Sequence, residues 1–249
     1  MLTVLGAIWG SFVGVLCQRW PNGESIITGR SRCDHCQLPL RAHELVPILS
    51  YLIQRGKCRR CSAVIGRDSL LIELFCASFG LICATVFPFP SAIALAALGW
   101  VLLPLILLDW RHHWLPDNLV IVVAVTGLAG GGFLPNEPGL VDRAIGGVAG
   151  FAALQLLRVV YSRLRGMEAM GAGDPKLLGA IGLWVGWQSL PLILLLASTL
   201  GLAHFLIQFR NSDALKQHFP LGSYFGVATI LLACATAALG ATRLSALSG

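Results

Sequence analysis

Two groups of residues in this chain could do chemistry. The first is a set of four cysteines in two pairs, "CDHC" at 33–36 and "CRRC" at 58–61, separated by twenty-one residues. Each CxxC turn offers two thiolates toward one point, and two such turns can close a tetrahedral zinc site. Redox or disulfide pairing is the weaker reading for a segment on the cytoplasmic side. With Cys33, Cys36, Cys58 and Cys61 as ligands, no position stays open for water, so zinc here would hold the fold and not catalyse. His35 and His43 lie nearby but are read as surface residues. Cys17, Cys76, Cys83 and Cys234 fall in apolar runs and are read as small hydrophobes.

The second group is a set of aspartates at the ends of apolar runs. Asp109 follows "VLLPLILL", at the edge of the low-dielectric layer, where an ionisable residue is costly and faces a cavity or partner. Asp117 opens the next apolar run and is read as a helix-starting cap favoured by the helix dipole. Asp174 stands in "GAGDPKLLGAIG" before a proline and an apolar run. By itself that is an N-cap, with Gly171 and Gly173 letting the chain bend. Taken together, Asp109 and Asp174 are the natural carboxyl pair. Two carboxyls held close cannot both ionise easily, so one keeps a proton while the other remains a base. Such a pair can activate water and protonate a leaving amine, which is the chemistry of an aspartic protease. "GAGD" lacks the further glycine and lysine of a phosphate-cradling loop.

The elements that must position these residues are membrane helices. Of 249 residues, 56% are hydrophobic and 12% charged, against about 25% charged in an average soluble domain. Apolar runs long enough to cross about 30 Å of hydrocarbon are expected at 2–18, 70–87, 91–108, 118–134, 141–158, 175–188, 190–209 and 223–241. The expected fold is therefore an all-α polytopic membrane protein of about eight transmembrane helices. It divides into a first helix (1–18), a polar tetracysteine insert (19–69) and a helical bundle (70–249). The insert is too short for a stable core without a metal, disulfides or docking. The first run has no basic start, and Arg19 follows it, so it is read as a retained helix and not a cleaved signal.

With the N-terminus outside, nine Lys/Arg fall in 19–69, and sixteen of the eighteen lie on one face, leaving Arg143 and Arg243 outside. This positive-inside bias puts the insert and the three aspartates on the cytoplasmic side. It also accounts for the net charge of +6 without a nucleic-acid partner. A metalloprotease lacks its HExxH, since the six histidines are scattered. A proton-coupled transporter is the alternative, although no inverted repeat with matched broken helices is visible. A scaffold built on the zinc insert would leave the aspartates dispensable. "GGVAG" (146–150) is read as close packing inside the bundle.

The motifs "GSFVGVLCQRWP", "ESIITGRSRCDHC", "VPILSYLIQRGKCRRC", "LLDWRHHWLPDNL" and "GAGDPKLLGAIG" together resemble the type IV prepilin peptidases, from the first helix nearly to the last. These are membrane-embedded aspartic proteases that also methylate the exposed N-terminus of pilins. The resemblance implies Asp109 and Asp174 as the catalytic pair and Cys33, Cys36, Cys58 and Cys61 as zinc ligands. It further implies S-adenosylmethionine as methyl donor, prepilins or pseudopilins as substrates, and a bacterial inner membrane. The insert would be part of the methyl-transfer region, although no cofactor-binding residue is identifiable. The chain departs from the pattern at three places: Gly14 stands for an asparagine, "CDHC" lacks a proline, and Ser223 stands for the proline of the late "FGP" motif.

Overall fold

A computed structural model of the chain describes residues 1–26, 31–33, 35–134, 137–166, 170–209 and 219–247. Arg30, Asp34, Arg210, Lys216 and part of the 135–139 breaker lie outside these residues. Among the described residues the regular elements are helices joined by turns and irregular segments, with two isolated antiparallel bridges, Arg32 to Pro39 and Lys57 to Val64. It divides into two compact units, Met1–Thr85 and Val86–Gly249.

The first unit holds α1 (Leu2–Arg19), the insert with the short α2 (Leu49–Ile53), and α3 (Arg67–Val86). Gly10 sits against the backbone of α3, where a Cβ would lie 2.7 Å from Glu73 Cα. The two apolar helices can therefore pack in close contact. Gly14 faces the Ser69 hydroxyl, to which a Cβ would come within 3.2 Å. Glu73 is buried in α3, and its Oε2 accepts the Ile48 N–H at 2.7 Å. Ile48 has a φ of +62°, which is strained for a β-branched residue, so this carboxylate ties a strained point of the insert to the helix.

The second unit is built from α4 (Phe89–His112), α5 (Asp117–Gly130), α6 (Leu140–Arg165), α7 (Gly173–Val185), α8 (Leu190–Phe209) and α9 (Leu221–Leu247). Each of the eight expected apolar runs falls on a helix, and among the described residues six of these helices are long and apolar enough to cross a membrane. The other two, α5 and α7, are shorter. The 13 residues of α7 rise only about 20 Å, less than the hydrocarbon thickness. Its side chains explain why it needs no lipid: Leu177, Leu178, Ile181 and Trp184 are all fully buried.

α7 is gripped chiefly by α6 and α5. A Cβ on Gly146 would lie 2.7 Å from the Gly182 carbonyl oxygen, and one on Gly150 would lie 2.9 Å from that of Leu178. The "GGVAG" stripe is thus a contact inside the bundle, as expected, with backbone against backbone. On the α5 side, the Trp184 indole N–H donates to the Val123 carbonyl at 2.9 Å. Arg143, expected at the outer end of the 141–158 run, lies there in α6 and is buried. Its Nη1 donates to the carbonyls of Gly127 and Leu128, each at 3.0 Å. These are carbonyls of the last turn of α5, where a cation satisfies orphan acceptors and the helix dipole together. The outer faces of α5, α6 and α8 carry exposed leucine, valine and isoleucine, an apolar surface suited to lipid.

Candidate functional site

The polar end of the second unit is assembled from four helix ends. α4 runs through Asp109 to His112 and closes at His113, whose left-handed backbone (φ +50°) returns its N–H to the Asp109 carbonyl at 2.9 Å. Asp109 therefore sits one turn inside the helix and not at its last residue. It is 5% exposed, while Trp110, Arg111, His112 and His113 after it are all exposed.

Asp109 is met by the start of α9. Its Oδ2 accepts the Ser223 backbone N–H at 2.6 Å and the Ser223 hydroxyl at 2.9 Å. Ser223 is the third residue of α9, so its N–H is one of the donors that a helix start leaves without an intrahelical partner. The carboxyl supplies that partner at the positive end of the helix dipole. Gly222 makes room for the approach, since a Cβ there would lie 3.2 Å from Asp109 Oδ2 and 2.8 Å from Leu115 Cδ1.

Asp174 comes to the same place from α7. It is 6% exposed. The N-cap of α7 is Ala172, so Asp174 lies inside the first turn and does not cap it. Its Oδ2 instead accepts the Gly171 N–H at 3.1 Å, and the Gly222 amide of α9 also faces the carboxyl. The two carboxyls are near enough for the charge of Asp109 to act on Asp174. Gly173 does more than let the chain bend, because a Cβ there would lie 2.7 Å from Leu115 Cβ. Leu115, from the turn after α4, is thus packed between Gly173 and Gly222 and holds the three helix ends in register.

Asp117 belongs to the same end but to different work. It is the first residue of α5, after Pro116 as N-cap, and makes no capping hydrogen bond. Its Oδ1 pairs with Lys176 Nζ at 2.7 Å. Both side chains are well exposed, so the pair contributes under about 1 kcal/mol. The expected cap is thus a surface tie between α5 and α7, and the helix-start acid still suits the dipole.

The four cysteines gather in the first unit. Each pair is made by one local turn. Cys33 N–H donates to Leu38 O at 3.0 Å and Gln37 N–H to Cys33 O at 2.9 Å; Cys58 N–H to Ala63 O at 2.8 Å and Ser62 N–H to Cys58 O at 2.9 Å repeat the pattern. Gln37 and Ser62, the residues after each CxxC, share a left-handed φ of +56° and +57°. All four sulfurs lie within 4.8 Å of one another. Cys33 Sγ and Cys61 Sγ are 3.8 Å apart, too far for a disulfide at about 2.05 Å. That spacing fits a tetrahedron whose metal–sulfur bonds are about 2.3 Å, which sets sulfurs roughly 3.8 Å apart. The backbone amides of Cys61 and then Arg60 draw the Cys58 thiol down to about 6, whereas Cys61, despite the Ala63 amide, is pushed up to about 11 by burial and the neighbouring thiols, so the four do not ionise alike without a cation among them. The cluster takes in neither histidine; His43 Nε2 lies instead 3.3 Å from Arg59 Nη1.

Sequence reasoning missed the contributions of Ser223, Gly222, Leu115 and Lys176. Ser223 was visible only as a departure from a motif. The usable signal was Pro220 ahead of an apolar run, which marks a helix start and so a set of free amides.

Two family models match the chain: the bacterial peptidase A24 N-terminal domain over residues 4–87 and the type IV leader peptidase family over residues 96–206. A prepilin leader peptidase/N-methyltransferase of Aeromonas hydrophila is 39% identical over 210 residues, covering 82% of this chain and 71% of that protein. A type 4 prepilin-like proteins leader peptide-processing enzyme of Escherichia coli O78:H11 is 35% identical over 251 residues, covering 93% of each. A prepilin leader peptidase/N-methyltransferase of Burkholderia pseudomallei is 34% identical and covers 91% of this chain and 83% of that protein. No solved structure is significantly similar. Nothing in these matches points to a transporter.

Proposed function

This chain belongs to the type IV leader peptidase family, and from that premise we propose how its own residues perform the work. It is an integral membrane enzyme that removes the basic leader from type IV prepilins or pseudopilins and N-methylates the new terminus. Asp109 and Asp174 are the catalytic pair. The observation that carries this is the burial of two carboxyls, from helices sixty-five residues apart, at one polar end of an otherwise apolar bundle.

The prepilin's apolar helix enters from the membrane, and its leader stays in the cytoplasm. One carboxylate takes a proton from water as the oxygen attacks the scissile carbonyl carbon. The protonated partner hydrogen-bonds the carbonyl oxygen as charge develops there. Collapse of the adduct breaks the C–N bond, and the leaving nitrogen takes the proton back from the pair. Burial excludes bulk water, so each carboxyl acts at low dielectric.

Zinc would be held by Cys33, Cys36, Cys58 and Cys61, stabilising the insert without an open coordination site. The insert (19–69) contributes to methyl transfer, for which S-adenosylmethionine supplies the methyl group when bound. The aspartates sit in the bundle, which runs from residue 70 onward. The enzyme resides in the bacterial inner membrane with insert and aspartates facing the cytoplasm, in keeping with the Lys/Arg bias of the loops. Incubation of the purified chain with a prepilin, read by mass with and without S-adenosylmethionine, tests this reading. Loss of the leader in both runs, and one added methyl group only with the donor, is expected. An uncleaved prepilin contradicts the peptidase, and an unmethylated product contradicts the transferase.

A further inference from the structure

We propose that Ser223 is a positioning residue of the aspartate pair, a hydroxyl that follows Asp109 through its gain and loss of a proton. The inference rests on the reading of Asp109 as catalytic.

Ser223 is 1% exposed, and two of its groups reach the same carboxyl oxygen: its N–H at 2.6 Å and its Oγ at 2.9 Å from Asp109 Oδ2. Its Oγ also lies 3.0 Å from the Ile106 carbonyl oxygen. A hydroxyl has one proton and two lone pairs, so it cannot donate to both acceptors at once. With Asp109 ionised, the hydroxyl donates to Oδ2, which then carries two donors. With a proton on Oδ2, the carboxyl donates to Oγ and the hydroxyl turns to Ile106. In either state Asp109 Oδ2 and the Ser223 hydroxyl each keep a partner, and losing one in a buried place would be costly.

The other titratable groups acting at this carboxyl are Asp174 from α7, His113 from the turn after α4, and Tyr224 from α9. Ser223 therefore fixes the carboxyl through Oδ2, by an amide that cannot move and a hydroxyl that can turn. A hydrolysis that needs Asp109 to alternate as base and acid needs such a partner. Ser223 lies beyond residue 206, where the match to the peptidase model ends, so the match itself assigns it nothing.

The test compares Ser223→Ala, Ser223→Cys and Ser223→Thr on a purified prepilin, alongside Asp109→Asn, with thermal unfolding of each variant. Ala removes the hydroxyl and keeps the N–H. Cys keeps nearly the volume but donates poorly. Thr keeps the hydroxyl. A hydrogen bond to a charged group corresponds to about a 10- to 100-fold effect. Ser223→Ala and Ser223→Cys should both lower kcat by that factor with KM within about twofold, and Ser223→Thr should recover most of it. A Cys variant as active as the parent would reduce Ser223 to packing and overturn the proposal. So would an effect confined to KM, or an Ala variant with unchanged kcat. If Thr does not fold, the Ala and Cys results decide alone. Should Asp109→Asn cleave normally, the catalytic reading itself fails; an inactive Asp109→Asn beside an unaffected Ser223→Ala overturns only this inference.

Discussion

The four-cysteine insert and the aspartate cluster gather their polar groups in opposite ways. In the insert each half is a single turn: the amide and carbonyl of Cys33 and of Cys58 close it, and a left-handed residue follows. Only the meeting of the two halves is long-range. At the aspartate cluster almost nothing is local. Asp109 on α4 is held by Ser223 on α9, 114 residues away, and Asp174 joins from α7. The packing that sets their spacing is Leu115 between two glycines. A site made of turns is stable once its ligand closes it. A site made of helix ends is only as accurate as the bundle behind it.

That contrast can be broken or sharpened by experiment, beginning with the largest effect on folding. Removing zinc with a chelator, or substituting Cys33→Ser, should unfold the insert, because structural zinc contributes roughly 10 kcal/mol or more at pH 7. Hydrogen exchange should report the loss in residues 19–69 while α4–α9 keep their protection, and metal analysis should find one zinc per chain before treatment. Loss of protection across α4–α9 as well would erase the distinction between the two regions.

Next comes Gly173→Ala. The added methyl meets Leu115 Cβ, which is not the free end of a flexible side chain, so the backbone must shift. Overpacking of this kind costs about 1–3 kcal/mol, visible as a lower melting temperature in detergent together with slower prepilin cleavage. An unchanged rate would mean that the helix ends are not held as closely as Leu115 suggests. The smallest effect belongs to Asp117→Asn. Its exposed pair with Lys176 contributes below about 1 kcal/mol, so melting and cleavage should both stay near those of the parent. A complete loss of cleavage would place Asp117, and not one of the buried aspartates, in the chemistry.

The two regions were also unequally legible from sequence. The CxxC spacing pointed to four cysteines that the structure brings together, because each turn encodes its own geometry, and the apolar runs located the long helices among the described residues. Asp109 and Asp174 stood out because carboxyls at the ends of such runs are costly. The sequence could not show what surrounds them. Ser223 touches Asp109 only because α9 packs against α4, and no local pattern records that. Asp117 and Asp174 both looked like caps, since an acid at a helix start has the same appearance whether it bonds its own amides, a lysine on another helix or an amide upstream. The acceptors of Arg143, at the end of α5, come together with it only in the fold, so no local pattern names them. The short α7 was readable as a buried helix from its glycines, yet which helix filled each gap required the structure.

The central claim is that two buried carboxyls act together on one peptide bond. It is tested most directly by incubating a prepilin with Asp109→Asn and with Asp174→Asn, each shown by circular dichroism to be folded, and measuring the substrate's mass beside the parent enzyme. A released leader is expected with the parent and an intact prepilin with both variants. Leader release at near the parent rate by either variant would contradict it.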